Sequence, residues 1–337
     1  MSCLITMGMT NDRAWERKSN GLNGSVIYRL AQSASDPQTI YAATNKGVYV
    51  SLNSGKEFKA LRGTQTLAKR IYDLHVPPED DQIMYLATDQ GLFQGNINGQ
   101  SAQWQRIFYA GDAQERTCRS VIQYAGVLYV GTLKGIFYQQ KGQNTWHRLE
   151  SFPQEPVHLI DVDASSLYIA ASTDVYRFDA PQRSLTKIFS QGFKAEQEET
   201  FESEEDSEGS VDIAGGAIKS LTVATPQLIV GTSAGIFVST DRGAHWQSIP
   251  SQTLPLNHLT QVISHGLVPE GLVPEGTYPD KHDQISLRFD QPALRPAQSE
   301  GLPGLVAGTQ KGAFLYEGGR WAPLYQGMGT NVINDLV

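Results

Sequence analysis

The chain has 337 residues, of which 40% are apolar, 9% aromatic and only 18% charged, a composition that supports a large core and excludes disorder along its whole length. No run of about 20 apolar residues occurs, so no helical membrane span is expected. The net charge of −8 comes almost wholly from one stretch, because Phe193 to Asp212 holds nine acids and one base while the remainder carries 26 of each. A near-neutral body has no long-range attraction for phosphate backbones, which argues against a nucleic-acid or anionic-membrane binder.

In chain order, the opening MSCLITMGMTNDRAWERK lacks a basic n-region and its apolar run is soon broken, so it does not read as a secretory signal. Two cysteines, Cys3 and Cys118, are too few for a disulfide framework or a four-thiolate metal site. The expected setting is the reducing cytoplasm, with no metal and no cofactor.

From Ile40 onward the chain repeats itself. The unit is an apolar strand ending in a small residue plus Thr, a two-residue turn, then Gly and a second apolar strand. Its copies are IYAATNKGVYV, MYLATDQGLFQ, LYVGTLKGIFY, LYIAASTDVYR, LIVGTSAGIFV and LVAGTQKGAFL, anchored at Thr44, Thr88, Thr132, Ala171, Thr232 and Thr309. In the fourth copy Asp174 stands where the others have Gly, and is expected to take up the positive φ of the hairpin. An apolar strand precedes each anchor. A short final strand with an aromatic follows about fourteen residues later at Phe58, Trp104, Trp146, Trp246 and Trp321, with Leu185 in the fourth copy. Each copy therefore has four short strands joined by Gly, Asn and Asp turns. A sheet apolar on both faces cannot hide its surface alone, and radial stacking solves this, so the expected fold is all-β, a β-propeller.

Two longer intervals hold insertions, the acidic 193–216 and the Pro- and Gly-rich 266–301, in which GLVPE occurs twice in succession. Both read as surface loops on a single propeller domain spanning 1–337. At the ends, the segment around Trp15 resembles a final strand and TNVINDLV, containing Leu336, resembles a first strand. The two termini are thus expected to share a closing blade. That makes a seven-bladed propeller, six blades complete and the seventh incomplete.

In the fifth copy the turn reads Ser239-Thr240-Asp241-Arg242-Gly243-Ala244-His245-Trp246. It resembles the Asp-box, or BNR repeat, of sialidase, sortilin, xyloglucanase and photosystem II assembly-factor propellers. The first copy keeps Ser51, Asn53, Gly55 and Phe58 of the same pattern. The resemblance implies a propeller and a structural role for Ser239, Asp241, Gly243 and Trp246: carboxylate across the turn, left-handed glycine, packed indole.

The resemblance to sialidases fails at their Arg-Ile-Pro, whose nearest string here is Lys69-Arg70-Ile71-Tyr72. A glycosidase needs two carboxylates facing one cleft, and the acids on first strands, best placed to meet in a central channel, are Asp73, Asp161, Asp163 and Asp335. Gly231-Thr232-Ser233-Ala234-Gly235 matches a nucleophile-elbow pattern, but the equivalent GTLKG and GTQKG make it an ordinary hairpin turn. The seven histidines show no metal-ligand spacing. Cys118 has cationic neighbours, Arg116 and Arg119, yet a lone cysteine at a strand start is usually only buried. The expected function is a non-catalytic scaffold that binds a protein partner through its inserted loops or the channel mouth. The alternative is a carbohydrate-active or glycan-binding propeller.

Overall fold

The computed structural model describes residues 5–6, 16–17, 20–22, 27–191, 217–224, 226–251, 253–256, 259–265, 304–309, 312–317 and 319–323. Both insertions, Trp15, Asp335 and Leu336 lie outside these residues. The described residues form an all-β propeller in which each sheet is a four-stranded antiparallel meander in sequence order. Sheet one comprises Ile27–Gln32, Ile40–Thr44, Gly47–Ser51 and Lys59–Ala60, and sheet two Ile71–His75, Ile83–Thr88, Gly91–Asn98 and Ser101–Phe108. Sheet three comprises Cys118–Tyr124, Val127–Thr132, Gly135–Gln140 and His147–Arg148, and sheet four Val157–Val162, Ser166–Ala171, Asp174–Asp179 and Ser184–Ser190. Sheet five comprises Ile218–Ala224, Gln227–Thr232, Ile236–Ser239 and Gln247–Ile249, and sheet six Leu259–His265, Gly304–Thr309, Gly312–Glu317 and Arg320–Pro323. Ile5–Thr6 pairs antiparallel with Glu16–Arg17 as a separate two-stranded piece.

The expected count of seven blades is not reached: the described residues give six four-stranded sheets and that one pair. The difference arises at the termini, where the segment 330–337 assigned to a closing blade falls outside the described residues. Among the described residues one helical turn, Ala113–Arg116, interrupts the succession of strands; Asp112 caps it by accepting the amides of Gln114 and Glu115 at 2.8 and 3.1 Å.

The recurring Thr explains the hairpins. Thr44, Thr88, Thr132 and Thr232 are buried, and each hydroxyl donates to the carbonyl of the residue three ahead, Gly47, Gly91, Gly135 or Gly235, at 2.7–3.0 Å. The same oxygens accept the amides of Lys46, Gln90, Lys134 and Ala234 at 3.0–3.1 Å. One side chain thus bonds backbone groups on both sides of the turn. The fourth copy corrects an expectation. The residue with positive φ there is Ser172, at 47°. Asp174 is an ordinary strand residue, held by Lys187 and by Ser190, whose hydroxyl donates at 2.6 Å.

The small residue before each Thr lies where neighbouring sheets meet. A Cβ on Gly131 would come within 2.5 Å of the Val157 side chain, and one on Gly231 within 2.7 Å of Leu259, both from the next sheet's first strand. The second strands are buried on both faces, and the core is a series of apolar layers between sheets. One holds Leu61, Leu74, Met84 and Leu86, another Val121, Leu128 and Val130 with Tyr85 and Leu92, and a third Ile136, Ile160, Leu167 and Ile169. Burying such side chains contributes roughly 1.5–3 kcal/mol each.

In three copies the aromatic ties its sheet to the preceding one, whereas the Trp104 indole nitrogen is buried without a hydrogen-bond partner. The indole nitrogens of Trp146, Trp246 and Trp321 donate to the carbonyls of Ile107, Ile188 and Pro250 at 2.8, 2.7 and 2.9 Å. Trp104, Trp321 and Leu185 lie within final strands as expected, whereas Phe58, Trp146 and Trp246 come one residue before theirs.

Candidate functional site

In every sheet the first strand is an edge, and first strands of consecutive sheets pack on one another from sheet one to sheet six. They therefore converge on a common axis. All six carry a β-bulge at the same register, after Ile27, Ile71, Cys118, Val157, Ile218 and Leu259. The bulge releases the extra residue from the ladder and turns the next one toward the neighbouring sheet.

That next position carries the links along the axis. In sheet two it is Asp73, which is 5% exposed. Its carboxylate accepts the Ser120 hydroxyl at 2.9 Å and the Val121 amide at 3.0 Å from sheet three, and its own neighbour Leu74 at 2.9 Å. The Arg29 guanidinium of sheet one lies 3.3 Å away. In sheet three the equivalent residue, Ser120, also accepts the Ile160 amide of sheet four at 3.0 Å. In sheet five Ser220 accepts the Val262 amide of sheet six at 2.9 Å. Sheet four has Leu159 at this position, and the link moves two residues on. Asp161 accepts the Val223 amide of sheet five at 3.2 Å and the Val162 amide at 2.9 Å.

The acids picked from the sequence thus have different fates. Asp73 and Asp161 do approach the same axis, since Arg29 acts on both carboxyls and Asp73 on Asp161; burial, the largest influence on each, pushes both upward. Asp163 belongs to the other end of its strand. It accepts the amides of Ser165 and Ser166 at 2.8 Å and the Tyr168 hydroxyl at 2.9 Å, and pairs with Arg242 of sheet five at 2.6 Å. Asp335 lies outside the described residues.

Arg242 belongs to the turn singled out in the fifth copy, at the end of the propeller opposite the bulges. There the Ser239 hydroxyl donates to Asp241 at 2.8 Å and accepts the Gly243 amide at 2.8 Å, while Asp241 accepts the His245 amide at 2.8 Å. These bonds and the His245 ring hold the Asp241 carboxyl down to about 2. Gly243 has φ 89°, and its α-carbon faces Ile188 of sheet four. The first copy builds the same turn, with Ser51 donating to Asn53 and accepting from Gly55, both at 2.9 Å. The described geometry accounts for Ser239, Asp241, Gly243 and Trp246 as one inter-sheet joint.

At the bulge end of the axis the extra residues of consecutive strands meet. The Arg119 guanidinium lies over the Tyr72 ring at 4.3 Å. His158 is flanked by Arg119 and Lys219, and burial followed by these two cations lowers its pKa to about 4. Its Nε2 is buried with no hydrogen-bond partner. Cys118 is fully buried beside this cluster, and burial pushes its thiol up rather than letting Arg116 and Arg119 lower it. Ser233 lies in the hairpin turn between second and third strands, not at a strand-to-helix elbow. No cluster of three or more His, Cys, Asp or Glu residues suited to a metal occurs among the described residues.

A concavity missed from the sequence lies at the opposite end, between sheets three and four. It is a cleft of about 290 Å³ lined by Tyr124, Val127, Tyr129, Tyr138, Pro181 and Arg183 among others. Arg183 sits there with φ 52°, and its guanidinium donates to the Tyr138 hydroxyl at 3.4 Å. These side chains come from three strands of sheet three and a turn of sheet four, so no local pattern could have revealed them.

Comparison with solved structures places the architecture among propellers. The extracellular domain of a protein described as a hybrid two-component system, from B. thetaiotaomicron, has a TM-score of 0.62 at 14% identity, covering 98% of this chain and 36% of that one. The GH74 xyloglucanase of Xanthomonas campestris gives 0.55 at 15% identity over 71% of this chain and 41% of its own. An ancestral GH74 enzyme gives 0.56 at 11% identity, over 94% and 39%. The chain thus spans well under half the length of these neighbours, and such identities establish a shared fold alone. No protein-family model and no curated protein sequence matches it.

Proposed function

We propose that this chain is a non-catalytic propeller that binds a partner protein through one end of its axis. The observation that carries this reading is the use made of the channel acids. Asp73 spends its oxygens on Arg29, Ser120, Val121 and Leu74, and Asp161 on two amides. A glycosidase requires a pair of carboxylates free to face a sugar across an open cleft, and these two hold neighbouring sheets together instead. The expected outcome of a panel of glycoside substrates is no turnover. Turnover that disappears in Asp73→Asn or Asp161→Asn, in protein that keeps its melting temperature, would sink the proposal.

Glycan binding is the second reading, favoured by the three tyrosines of the cleft between sheets three and four, since stacked aromatic faces suit sugar rings. A glycan array would decide it, and Tyr138→Ala should abolish any signal that belongs to this cleft. A cytoplasmic location is part of the main reading and is tested by cell fractionation. No nucleic-acid partner is expected of so neutral a body.

Seven-fold closure through the termini also remains our reading. Among the described residues, the first strands of sheets one and six do not pack together as consecutive first strands do. The face of sheet one that points away from sheet two is nevertheless buried at Ile27, Leu30, Ile40 and Ala42, with Leu22 packed against it. The Asp-box resemblance fits the same picture. Removal of residues 330–337 should lower the melting temperature by several degrees. An unchanged value would argue against a shared closing blade.

A further inference from the structure

We propose that the bulge end of the axis is a receptor for carboxylate groups of an acidic peptide segment, gripped by Arg119 and Lys219 with His158 between them. Three neighbouring sheets bring these residues together at one register position. Among the described residues neither cation has an ion-pair partner. The two buried carboxylates on the first strands do not serve them, because Asp73 pairs with Arg29 and Asp161 accepts amides. The charges acting on His158 are both positive. These two cations and the partly buried imidazole between them form a local cluster of positive charge, and an anion seated there is attracted by both.

The details fit a carboxylate. Arg119 is placed over the Tyr72 ring, and its guanidinium is of the kind that pairs bidentately with carboxylates. The Nε2 of His158 is a buried hydrogen-bonding group beside this cluster that no described residue satisfies. Two formal charges suit one or two carboxylates rather than a polyphosphate chain, for which the neutral body provides no field.

Charge complementarity exists within the chain itself. The stretch from Phe193 to Asp212 has nine acids, and the described residues that flank it in the chain, Gln191 and Ile218, lie at this end. The amides of Gln191 and Ile218 bond the carbonyls of Thr173 and Ser172 at 3.1 Å, and Lys219 follows directly. The carboxylates therefore have two sources, this chain or a partner, with the same chemistry.

The test uses the full chain and two probes at low salt, an amidated hexaglutamate peptide and inorganic phosphate. Calorimetry is combined with ¹⁵N NMR of the His158 ring. Hexaglutamate should bind saturably, weaken as salt rises, and raise the pKa of His158. Each of Arg119→Gln and Lys219→Gln should cost about tenfold in affinity, while Lys219→Arg should retain it and show that the fold survives change at this position. A full chain in which Glu196, Glu198, Glu199, Glu202, Glu204, Glu205 and Glu208 are all Gln separates the sources. Tighter binding by that chain means that its own acids compete for the site, and equal binding assigns the site to a partner. The proposal fails if neither chain binds hexaglutamate, if the Gln substitutions at 119 and 219 leave binding unchanged, or if phosphate binds and hexaglutamate does not.

Discussion

Ser120 shows how much one small residue does in this molecule. Its hydroxyl donates to Asp73 of sheet two and accepts the Ile160 amide of sheet four, so three sheets meet on one oxygen. Ser120→Ala removes that oxygen and leaves a buried amide and a buried carboxylate each short of a partner. The expected loss is about 1–3 kcal/mol in urea unfolding. His75 acts through its proton. It is buried beside the Arg29 charge, and burial first, then that charge, lowers its pKa to about 4. The folded state thus refuses a proton that the unfolded chain takes up near pH 6.5. The stability tied to His75 is complete above pH 6.5 and falls as pH drops through that value toward 4, by at most about 1.4 kcal/mol per pH unit. Stability measured at pH 7 and pH 5 should therefore differ less in His75→Gln than in the natural chain. A parallel pair of curves would count against this account.

At the scale of the element, the hairpins were legible in the sequence because their requirements are local. The Thr that closes each turn, the Gly that follows and the small residue that precedes all lie within a few residues of one another. The structure adds the reason for the small residue, which is a neighbour in the next sheet rather than the turn. Gly131→Val drives new atoms into Val157, 2.5 Å from where a Cβ would stand, and should destabilise by about 1–3 kcal/mol despite the better strand propensity of valine. Gly111→Ala, at a position with open space around it, should be neutral within about 0.5 kcal/mol. The bulges escaped sequence reading because a bulge is a property of two strands, and single-strand alternation does not show which residue is left unpaired. The fates of Asp73 and Asp163 escaped for a similar reason. Both look like acids on a first strand, but one is taken up by the following sheet and the other by Arg242, 79 residues further on.

At the scale of the whole molecule, the repeat, the four-stranded unit and the radial stacking could all be read from self-similarity. The number of sectors depends on the termini, which carry only part of the pattern. Apolar layers, indole-to-carbonyl bonds and the axial links all run between sheets, so no sheet has a core of its own. Urea unfolding should accordingly be one transition, with near-UV and far-UV circular dichroism changing together. Separate midpoints for the two signals would mean that the sheets unfold in blocks.

The bulged positions have a consequence for how such a molecule acquires new ligands. A residue that the ladder leaves out is not needed to hold its strand, so Tyr28, Tyr72, Arg119, His158 and Lys219 differ widely in size and charge on nearly identical backbones. Selectivity at that end of the axis is open to change one side chain at a time, with the supporting architecture left untouched.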